Sequence, residues 1–303
     1  MMDIRRLNIS MTLKVIAGTM ILMSFITIET GSDDLRLDEP VVAGGMFKEI
    51  VDGVVFDMIY VEGGTFQMGD SADEDNPVHK VVLDSYYILS TEVTQEMWET
   101  VMAGTDRENI YVLRNEEMEI IEARGGDKCE LLPVPEVGPD YPMYYVRLTD
   151  AKEFCRRLSA ITGRRFALPT DAQWEYAARG GKAREQTPYS GSSDIGEVAW
   201  YEGNSGGRMH KVGALQPNAL GLYDMSGNVR EWCADNYNYN RNTSAPQHNP
   251  LYQSEQPSPY YVSRGGAWNS DAYECKVSCR IDEHYAFGGT DMGFRIVCNL
   301  NEN

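Results

Sequence analysis

Six cysteines are the first residues in this sequence with the chemistry to bind a metal or to pair with one another. Cys275 and Cys279 stand four residues apart, a spacing that suits either a metal pair on a helix or two members of different disulfides. No Cys-x-x-Cys motif occurs, which argues against a zinc ribbon. The six are Cys129, Cys155, Cys233, Cys275, Cys279 and Cys298.

The histidines do not suggest a shared metal site. An iron centre with imidazole ligands needs several histidines at close quarters, yet no His-x-x-x-His or similar spacing is present. The sequence therefore argues against a histidine-ligated iron enzyme. The four histidines are His79, His210, His248 and His284.

The balance of charge is strongly acidic. The 303 residues include 46 Asp and Glu against 27 Lys and Arg, and 42% are hydrophobic, which is a globular composition. A formal net charge of −19 argues against a nucleic-acid partner and against docking on anionic lipid, since both require a basic surface. Carboxylate oxygens are ligands that calcium prefers, so the acidic composition is compatible with a calcium site.

Residues 1–31 are predicted to be a signal peptide or an N-terminal anchor. Arg5, Arg6 and Lys14 precede an apolar run at 15–28, which is shorter than the ~20 residues of a membrane span and typical of a secretory signal. The sequence after the run lacks a small-x-small cleavage pattern, so an uncleaved anchor is the alternative, and membrane contact is expected only through this segment. We predict an exported protein that is periplasmic, at the cell surface or secreted, where cysteines can form disulfides.

The remaining chain divides by composition into a linker, one domain and an insertion. Residues 32–53 are predicted to be a linker because their first part is polar and acidic. Residues 54–303 are predicted to form a single loop-rich domain of the α+β class. Residues 103–141 are charged and show no sustained hydrophobic period, so they are interpreted as an insertion into that domain.

A hairpin and three helices are predicted from local patterns. Two β-rich runs within 54–69 flank a Gly-Gly turn and predict a hairpin. Thr94 is expected to cap the first helix, Gly163 to end the second, and Thr170 with Gln173 to form a capping box at the third. The apolar faces of the first two helices consist of Met97, Trp98, Val101, Met102, Ala151, Phe154, Cys155, Leu158 and Ile161.

A collinear series of motifs connects these elements. They are GGTFQMG at 63–69, PVH at 77–79, EVT at 92–94, GRRFALPT at 163–170, QWEYAARGG at 173–181, PNALGLYDM at 217–225, GNVREW at 227–232, RGGAW at 264–268 and GFR at 293–295. In these motifs the chain resembles the formylglycine-generating enzyme (sulfatase-modifying factor) domain family over about residues 58–297. The resemblance implies a loop-rich variant of the C-type-lectin-like fold.

Some members of that family oxidise a sulfatase cysteine to formylglycine with copper and oxygen. The resemblance places the two copper thiolates at Ser270 and Cys275, but copper(I) is soft and a serine hydroxyl is a poor substitute for a thiolate. Three more active-site positions depart from the family, because Ala267, Arg230 and Asp291 stand for Ser, Trp and Asn. Cys275 remains the one catalytic candidate, and copper is not expected.

The other thiols admit two interpretations. Cys279 would replace the missing copper thiolate after a local rearrangement, or the thiols are structural. By the resemblance, Cys155 pairs with Cys298 in a family disulfide displaced by two residues, which keeps the same strand face. A pair between Cys233 and Cys275 is a further hypothesis, and it would remove the last candidate thiolate.

The loop at 224–231 resembles a calcium site of the family. The resemblance assigns side-chain oxygens to Asp224 and Glu231 and main-chain carbonyls to Gly227 and Val229. These are hard oxygen ligands, and two carboxylates favour calcium. The alternative is that both carboxylates satisfy loop amides without a metal.

Residues 236–252 are rich in Asn and Tyr, a composition typical of recognition surfaces. They predict a site for a protein or glycan ligand, with a solvated loop as the alternative. Arg264 and Arg295 are instead predicted to be buried structural arginines. The sequence thus favours a calcium-stabilised binding or assembly module without copper oxidase activity. The alternatives are an active formylglycine-generating oxidase and a structural subunit of an envelope machine.

Overall fold

The computed structural model describes residues 45–73, 76–105, 136–183, 186–238 and 246–300, together with two short strands near the N-terminus. These strands, β1 (Val15–Ile16) and β2 (Thr19–Met20), pair antiparallel inside the segment predicted to be a signal or anchor. None of the helices in these ranges is long and apolar enough to cross a membrane. The chain forms two compact units, Met1–Val41 and Val42–Asn303, and every element below lies in the second.

The second unit combines short strands with four α-helices in its described part. The strands are β3 (Met46–Val51), β4 (Val54–Val61), β5 (Gly64–Met68), β6 (His79–Leu83), β7 (Tyr86–Leu89), β8 (Phe166–Ala167), β9 (Arg230–Asn236), β10 (Gln247–His248), β11 (Tyr260–Arg264), β12 (Ile281–His284), β13 (Met292–Gly293) and β14 (Val297–Asn299). The helices are α1 (Gln95–Met102), α2 (Leu148–Thr162), α3 (Asp171–Ala178) and α4 (Ile195–Val198), with a 3-10 turn at Gly181–Ala183. This mixture confirms the α+β class.

The strands form three sheets with long stretches of loop between them. The orders are β3-β4-β7-β14-β8, β12-β11-β9-β13 and β10-β6-β5. Most neighbours are antiparallel, while β13 runs parallel to β9 and β10 parallel to β6. The last described strand, β14, lies between β7 and β8, so it is an internal strand of the five-stranded sheet.

The domain begins earlier than the sequence predicted. Residues 46–51, assigned to the linker, form β3, which pairs with β4 from Met46 opposite Ile59 to Val51 opposite Val54. Asp52 and Gly53 both have positive φ, at 48° and 89°, as a two-residue hairpin turn requires. The linker prediction was therefore wrong for residues 46–53, because this Asp-Gly signal was overlooked.

The predicted hairpin of 54–69 is also wrong. Strand β4 pairs with β3 and β7, whereas β5 pairs with β6 in a different sheet. Gly63 lies between β4 and β5, where the chain passes from one sheet to the other. Its backbone is so close to Leu83 that an added Cβ would lie 2.5 Å from the Leu83 carbonyl oxygen. The Gly-Gly pair is thus a close approach between two sheets and not the turn of a hairpin.

The helix predictions are confirmed at their ends. Thr94 accepts a hydrogen bond from the amide of Met97, and Gly163 ends α2 with a φ of 75°. Thr170 and Gln173 form the expected capping box of α3. The predicted apolar faces of α1 and α2 are buried except for Ile161.

Aromatic packing joins α1 and α2 to the C-terminal strands. Trp98 is stacked on Phe154 with ring centroids 5.8 Å apart and meets Phe294 edge-on at 6.0 Å. All three side chains are fully buried. Residues 106–135 of the insertion predicted at 103–141, Cys129 among them, lie outside the described residues.

Candidate functional site

The loop that precedes β9 has an unusual backbone. Asp224, Gly227 and Asn228 all adopt left-handed φ angles, at 55°, 80° and 64°. Gly227 is required there, since an added Cβ would lie 2.3 Å from the carbonyl oxygen of Trp200. The same carbonyl accepts a hydrogen bond from the amide of Asn228 at 2.8 Å, which fixes the loop against the residues around Trp200.

Glu231, a predicted calcium ligand, is fully buried and forms an ion pair. Its Oε2 accepts hydrogen bonds from Trp174 Nε1 and Arg295 Nε, both at 2.7 Å, and its Oε1 accepts one from Arg295 Nη2 at 2.7 Å. Arg295 also donates to the carbonyl oxygens of Leu89 and Tyr223. The prediction that Arg295 is a buried structural arginine is confirmed.

Asp224 faces a third carboxylate, that of Glu92, which the sequence interpretation missed. Glu92 is completely buried, and its two oxygens accept from the Val229 amide and the Asn228 side chain at 3.3 Å each. Asp224 Oδ2 accepts from the amide of Gly213 at 2.6 Å. Burial raises the pKa of Asp224 to about 6, and burial together with the charge of Asp224 raises the pKa of Glu92 well above its ordinary value.

No three acidic, thiol or imidazole side chains of the described residues are arranged as a ready-made metal site, and the charge of the carboxylates around this loop is the remaining observation that bears on a cation. Glu92, Asp224 and Glu231 act on one another electrostatically, and Arg295 is the cation that acts on this group. When ionised, three carboxylates against one guanidinium leave two negative charges in a buried place, which is unfavourable without a counter-ion. Glu231 Oε1 accepts one hydrogen bond in the structure and retains a second lone pair for a hard cation.

The residues at the predicted copper positions do not form a thiolate site. Cys275 is fully buried, and burial with the nearby charge of Glu274 raises the pKa of its thiol to about 12. Gly266 packs so tightly on it that an added Cβ would lie 2.7 Å from Sγ. Ser270 is buried as well, and its amide donates to the carbonyl oxygen of Ala267. One enclosed thiol and a serine hydroxyl do not supply the pair of thiolates that copper(I) prefers.

Two of the departures from the family motif bind each other. Arg230 Nη2 lies 3.0 Å from Asp291 Oδ2, and Arg230 Nη1 lies 2.6 Å from Glu283 Oε2. All three side chains are largely buried, at 13–16% exposure. The Asn269 amide donates to the same oxygen of Asp291 at 3.3 Å. Where the resemblance implies a Trp and an Asn, this chain therefore has a charged network.

The predicted disulfides are not formed in the structure. All five cysteines of the described ranges are free thiols, so neither the Cys155–Cys298 pair nor the Cys233–Cys275 pair is present. Burial raises the pKa of Cys155 to about 12 and that of Cys298 to about 11. These protonated side chains pack as small apolar residues, which is the commonest state of a buried cysteine.

A second buried arginine holds the segment that carries the last cysteines. Arg264 Nε donates to Asp171 Oδ1 at 2.6 Å, and its Nη2 donates to Glu175 Oε2 at 2.9 Å. Its Nη1 donates to the carbonyl oxygens of Val277 and Cys279 at 3.0 and 3.1 Å. Arg264 is therefore a structural arginine, as predicted, and no face of it is open to a ligand.

The Asn- and Tyr-rich segment is described only at its two ends, because residues 239–245 lie outside the described ranges. Several tyrosines in and near it are exposed, among them Tyr252, Tyr260 and Tyr285. The rings of Tyr260 and Tyr285 both contact the imidazole of His284, with centroids 5.9 and 4.9 Å away. The surface beside β9 and β11 thus presents aromatic rings to solvent.

Comparison with known families gives one match over most of the chain. The model of the sulfatase-modifying factor enzyme 1-like domain matches residues 46–300. This range begins at β3 and ends just after β14, so it includes the site described above and agrees with the observed start of the domain.

Three relatives illustrate the range of proteins that share this sequence pattern. A chaperone protein LppX of Paenibacillus barcinonensis is 30% identical over 80% of this chain and 89% of its own length. An inactive C-alpha-formylglycine-generating enzyme 2 of Bos taurus is 27% identical over 83% of this chain and 91% of its length. A serine/threonine-protein kinase pkn1 of Chlamydia pneumoniae is 28% identical over 82% of this chain, but the match spans only 39% of that protein.

Solved structures share the fold. Treponema denticola variable protein 1 has a TM-score of 0.68 and 27% identity, and the match covers 84% of this chain and 98% of that one. PvdO from Pseudomonas aeruginosa has a TM-score of 0.66 and 26% identity, and the match covers 85% of this chain and 99% of that one. The structural likeness therefore extends over nearly the whole of each neighbour.

Proposed function

The chain belongs to the sulfatase-modifying factor enzyme 1-like family, and we propose that it is a calcium-stabilised binding or assembly module of this family without copper oxidase chemistry. The observation that carries the proposal is the salt bridge between Arg230 and Asp291. It occupies two positions that serve catalysis in the oxidase members, while the remaining thiol of Cys275 is enclosed and protonated.

The relatives support a role without oxidation. One of them is named as inactive, and another is named as a chaperone protein, so the domain serves proteins that do not carry the oxidase name. A scaffold of this kind supports different functions through its loops. We further propose that the protein is exported, since residues 1–31 have the basic and apolar pattern of a signal or anchor.

Calcium binding is the second part of the proposal. Asp224, Glu231 and the carbonyls of Gly227 and Val229 are the proposed ligands, and Glu92 is added as a neighbouring carboxylate that neutralises the ion. A bound calcium would supply positive charge that Asp224 and Glu92, whose pKa values burial raises, otherwise obtain from protons. Its role here is to hold the loop before β9 in place.

Copper-dependent turnover is expected to be absent. The full chain, supplied with copper(I), oxygen and a cysteine peptide of the sulfatase type, should form no formylglycine by mass spectrometry. The Cys275→Ser variant is the matched control, and the two proteins should give the same result and bind copper(I) equally weakly. Copper-dependent conversion by the wild type that is lost in this variant would overturn the proposal and favour the oxidase alternative.

Removal of calcium is expected to lower the melting temperature at neutral pH. A ligand present at about 100 times its dissociation constant stabilises by about 2.7 kcal/mol, which corresponds to about 5–10 °C for a domain of this size. The comparison is between melts in EDTA and in calcium at pH 7.5. The Asp224→Asn variant keeps the shape of the side chain and should lose the response to calcium.

The same response should shrink at lower pH. The pKa of Asp224 is raised in the folded state, so the metal-free fold binds protons that the unfolded chain has released, and its stability falls as pH rises from about 4 through about 6. Calcium replaces those protons. The shift in melting temperature should therefore be larger at pH 7.5 than at pH 5, and an equal melt with and without EDTA at pH 7.5 would remove the calcium proposal.

A further inference from the structure

A mostly apolar cavity opens beside β8, the end of β14 and the start of α3. Its volume is about 410 Å³, which falls within the range of sites that hold small organic molecules. None of the carboxylates around the loop before β9 belongs to its lining. The larger apolar side chains of the lining are Leu83, Phe166, Leu168, Leu251 and Leu300.

Most polar side chains of this cavity are already bonded within the protein. Gln173 Nε2 donates to Asn299 Oδ1 at 3.0 Å. Asp84 is the acidic residue of the lining, and it contacts His248 Nε2 at 3.0 Å and accepts from the Asn249 side chain at 2.8 Å. A distinctive polar contact with a ligand must therefore come from another residue of the lining.

Arg165 is the one basic residue of the lining. It is exposed, and among the described residues its guanidinium makes no hydrogen bond or ion pair. Its main chain is fixed, since its carbonyl oxygen accepts from the Asn299 amide at 3.2 Å. The neighbouring Arg164, in contrast, lies 2.8 Å from a carboxylate oxygen of Glu49. An unpaired guanidinium beside an apolar cavity is suited to a carboxylate, which its planar fork can bind with two hydrogen bonds.

The wall formed by β8 disfavours an extended peptide as the occupant. The Phe166 amide donates to Ser159 Oγ at 2.9 Å, and the Phe166 carbonyl oxygen accepts from the same hydroxyl at 3.2 Å. Ala167 pairs with Val297 of β14. An added strand would therefore compete with bonds that are already made, so the occupant is held by apolar contact and by the one cation.

The acidity of the whole chain does not select the ligand at this place. A net charge of −19 favours cations at long range, but exposed charges more than about 8 Å apart are largely screened at physiological ionic strength. A cationic head group in the cavity would meet the unpaired guanidinium of Arg165, whereas Asp84 already has His248 and Asn249 as partners. The local charges thus favour an anionic head group.

We propose that this cavity binds a medium-chain aliphatic carboxylate, with the carboxylate on Arg165 and the chain against Phe166, Leu168, Leu251 and Leu300. The proposal rests on the binding role proposed above, and it names a site and a ligand class for that role. Leu251 also belongs to the Asn- and Tyr-rich segment, so the cavity includes part of the region predicted to recognise a ligand.

The test is an NMR titration of the full chain at pH 7.5 and physiological ionic strength with butanoate, hexanoate, octanoate, 1-octanol and octylammonium. Octanoate should bind more tightly than 1-octanol or octylammonium, and each added methylene of the carboxylates should tighten binding by up to about fourfold. Arg165→Gln should weaken octanoate binding by about tenfold and leave 1-octanol binding unchanged. The control is Arg208→Gln at an exposed arginine paired with Glu136, which should bind octanoate as the wild type does.

Leu251→Asn is an independent variant of the apolar wall. Leu251 is 50% exposed, so its replacement does not open the core. The variant should weaken octanoate and 1-octanol binding alike. The proposal is overturned if octanoate does not bind, if 1-octanol or octylammonium binds as tightly, or if Arg165→Gln or Leu251→Asn binds octanoate as the wild type does. Such a failure leaves the lack of copper turnover untouched, whereas turnover by the wild type would refute the proposed function itself.

Discussion

Replacing Glu231 with Gln is expected to lower the free energy of unfolding by about 3–5 kcal/mol, because removal of one partner of a buried ion pair strands the other. Arg295 would keep its charge in a fully buried place and lose both carboxylate contacts of 2.7 Å. The new amide group would also face donors, since Trp174 Nε1 and the guanidinium donate toward this position. Urea unfolding in EDTA measures this loss without any contribution from calcium.

The control for this experiment is Glu197→Gln, the same change on an exposed carboxylate that accepts a hydrogen bond from the hydroxyl of Ser192. It should melt as the wild type does. A double variant that combines Glu231→Gln with Arg295→Met should lose less stability than the two single changes together, since the stranded charge is gone. A Glu231→Gln protein as stable as the wild type in EDTA would show that this ion pair does not hold the domain together.

Replacing Arg264 with Met should be as damaging. The change removes the charge that compensates Glu175 and Asp171 and leaves the carbonyl oxygens of Val277 and Cys279 without their shared donor. Loss of a buried pair of this kind costs about 3–5 kcal/mol, which predicts a melting temperature lower by about 6–20 °C. Calorimetry on the full chain provides the measurement.

Arg156→Met is the matched control for Arg264→Met. Arg156 lies on the outer face of α2, paired with Glu153, and its side chain is 65% exposed. Exposed pairs of this type contribute little, so the melting temperature should not change measurably. If the Arg264→Met and Arg156→Met variants have the same melting temperature, the network around Arg264 does not stabilise the domain.

The parts of the fold that could be predicted are those determined by neighbouring residues. Thr170 with Gln173 and the glycine at 163 fixed helix ends, because capping depends on side chains within one turn. Strand pairing depends on distant partners, and there the prediction failed, since the Gly63–Gly64 pair joined two sheets. The Asp52–Gly53 turn is an exception, because an Asp-Gly pair between two β-rich runs is itself a local hairpin signal.

The site was predictable only in part for the same reason. Asp224 and Glu231 are close in sequence, so a motif can place them together. Glu92 contacts the same loop by accepting a hydrogen bond from the Asn228 side chain, 136 residues away along the chain. The sequence identified Arg230 and Asp291 as separate departures from the family. Only the folded chain brings these two residues within hydrogen-bond distance, where Arg230 donates to Asp291.

The Arg230–Asp291 salt bridge also constrains which substitutions these two positions tolerate one at a time. Reverting Arg230 alone to Trp would leave Asp291 and Glu283 close together without their shared cation, and reverting Asp291 alone to Asn would leave one carboxylate for the guanidinium. The Arg230→Trp change alone is therefore expected to be the more destabilising of the two. A search for these two residues together would identify the family members that share this salt bridge.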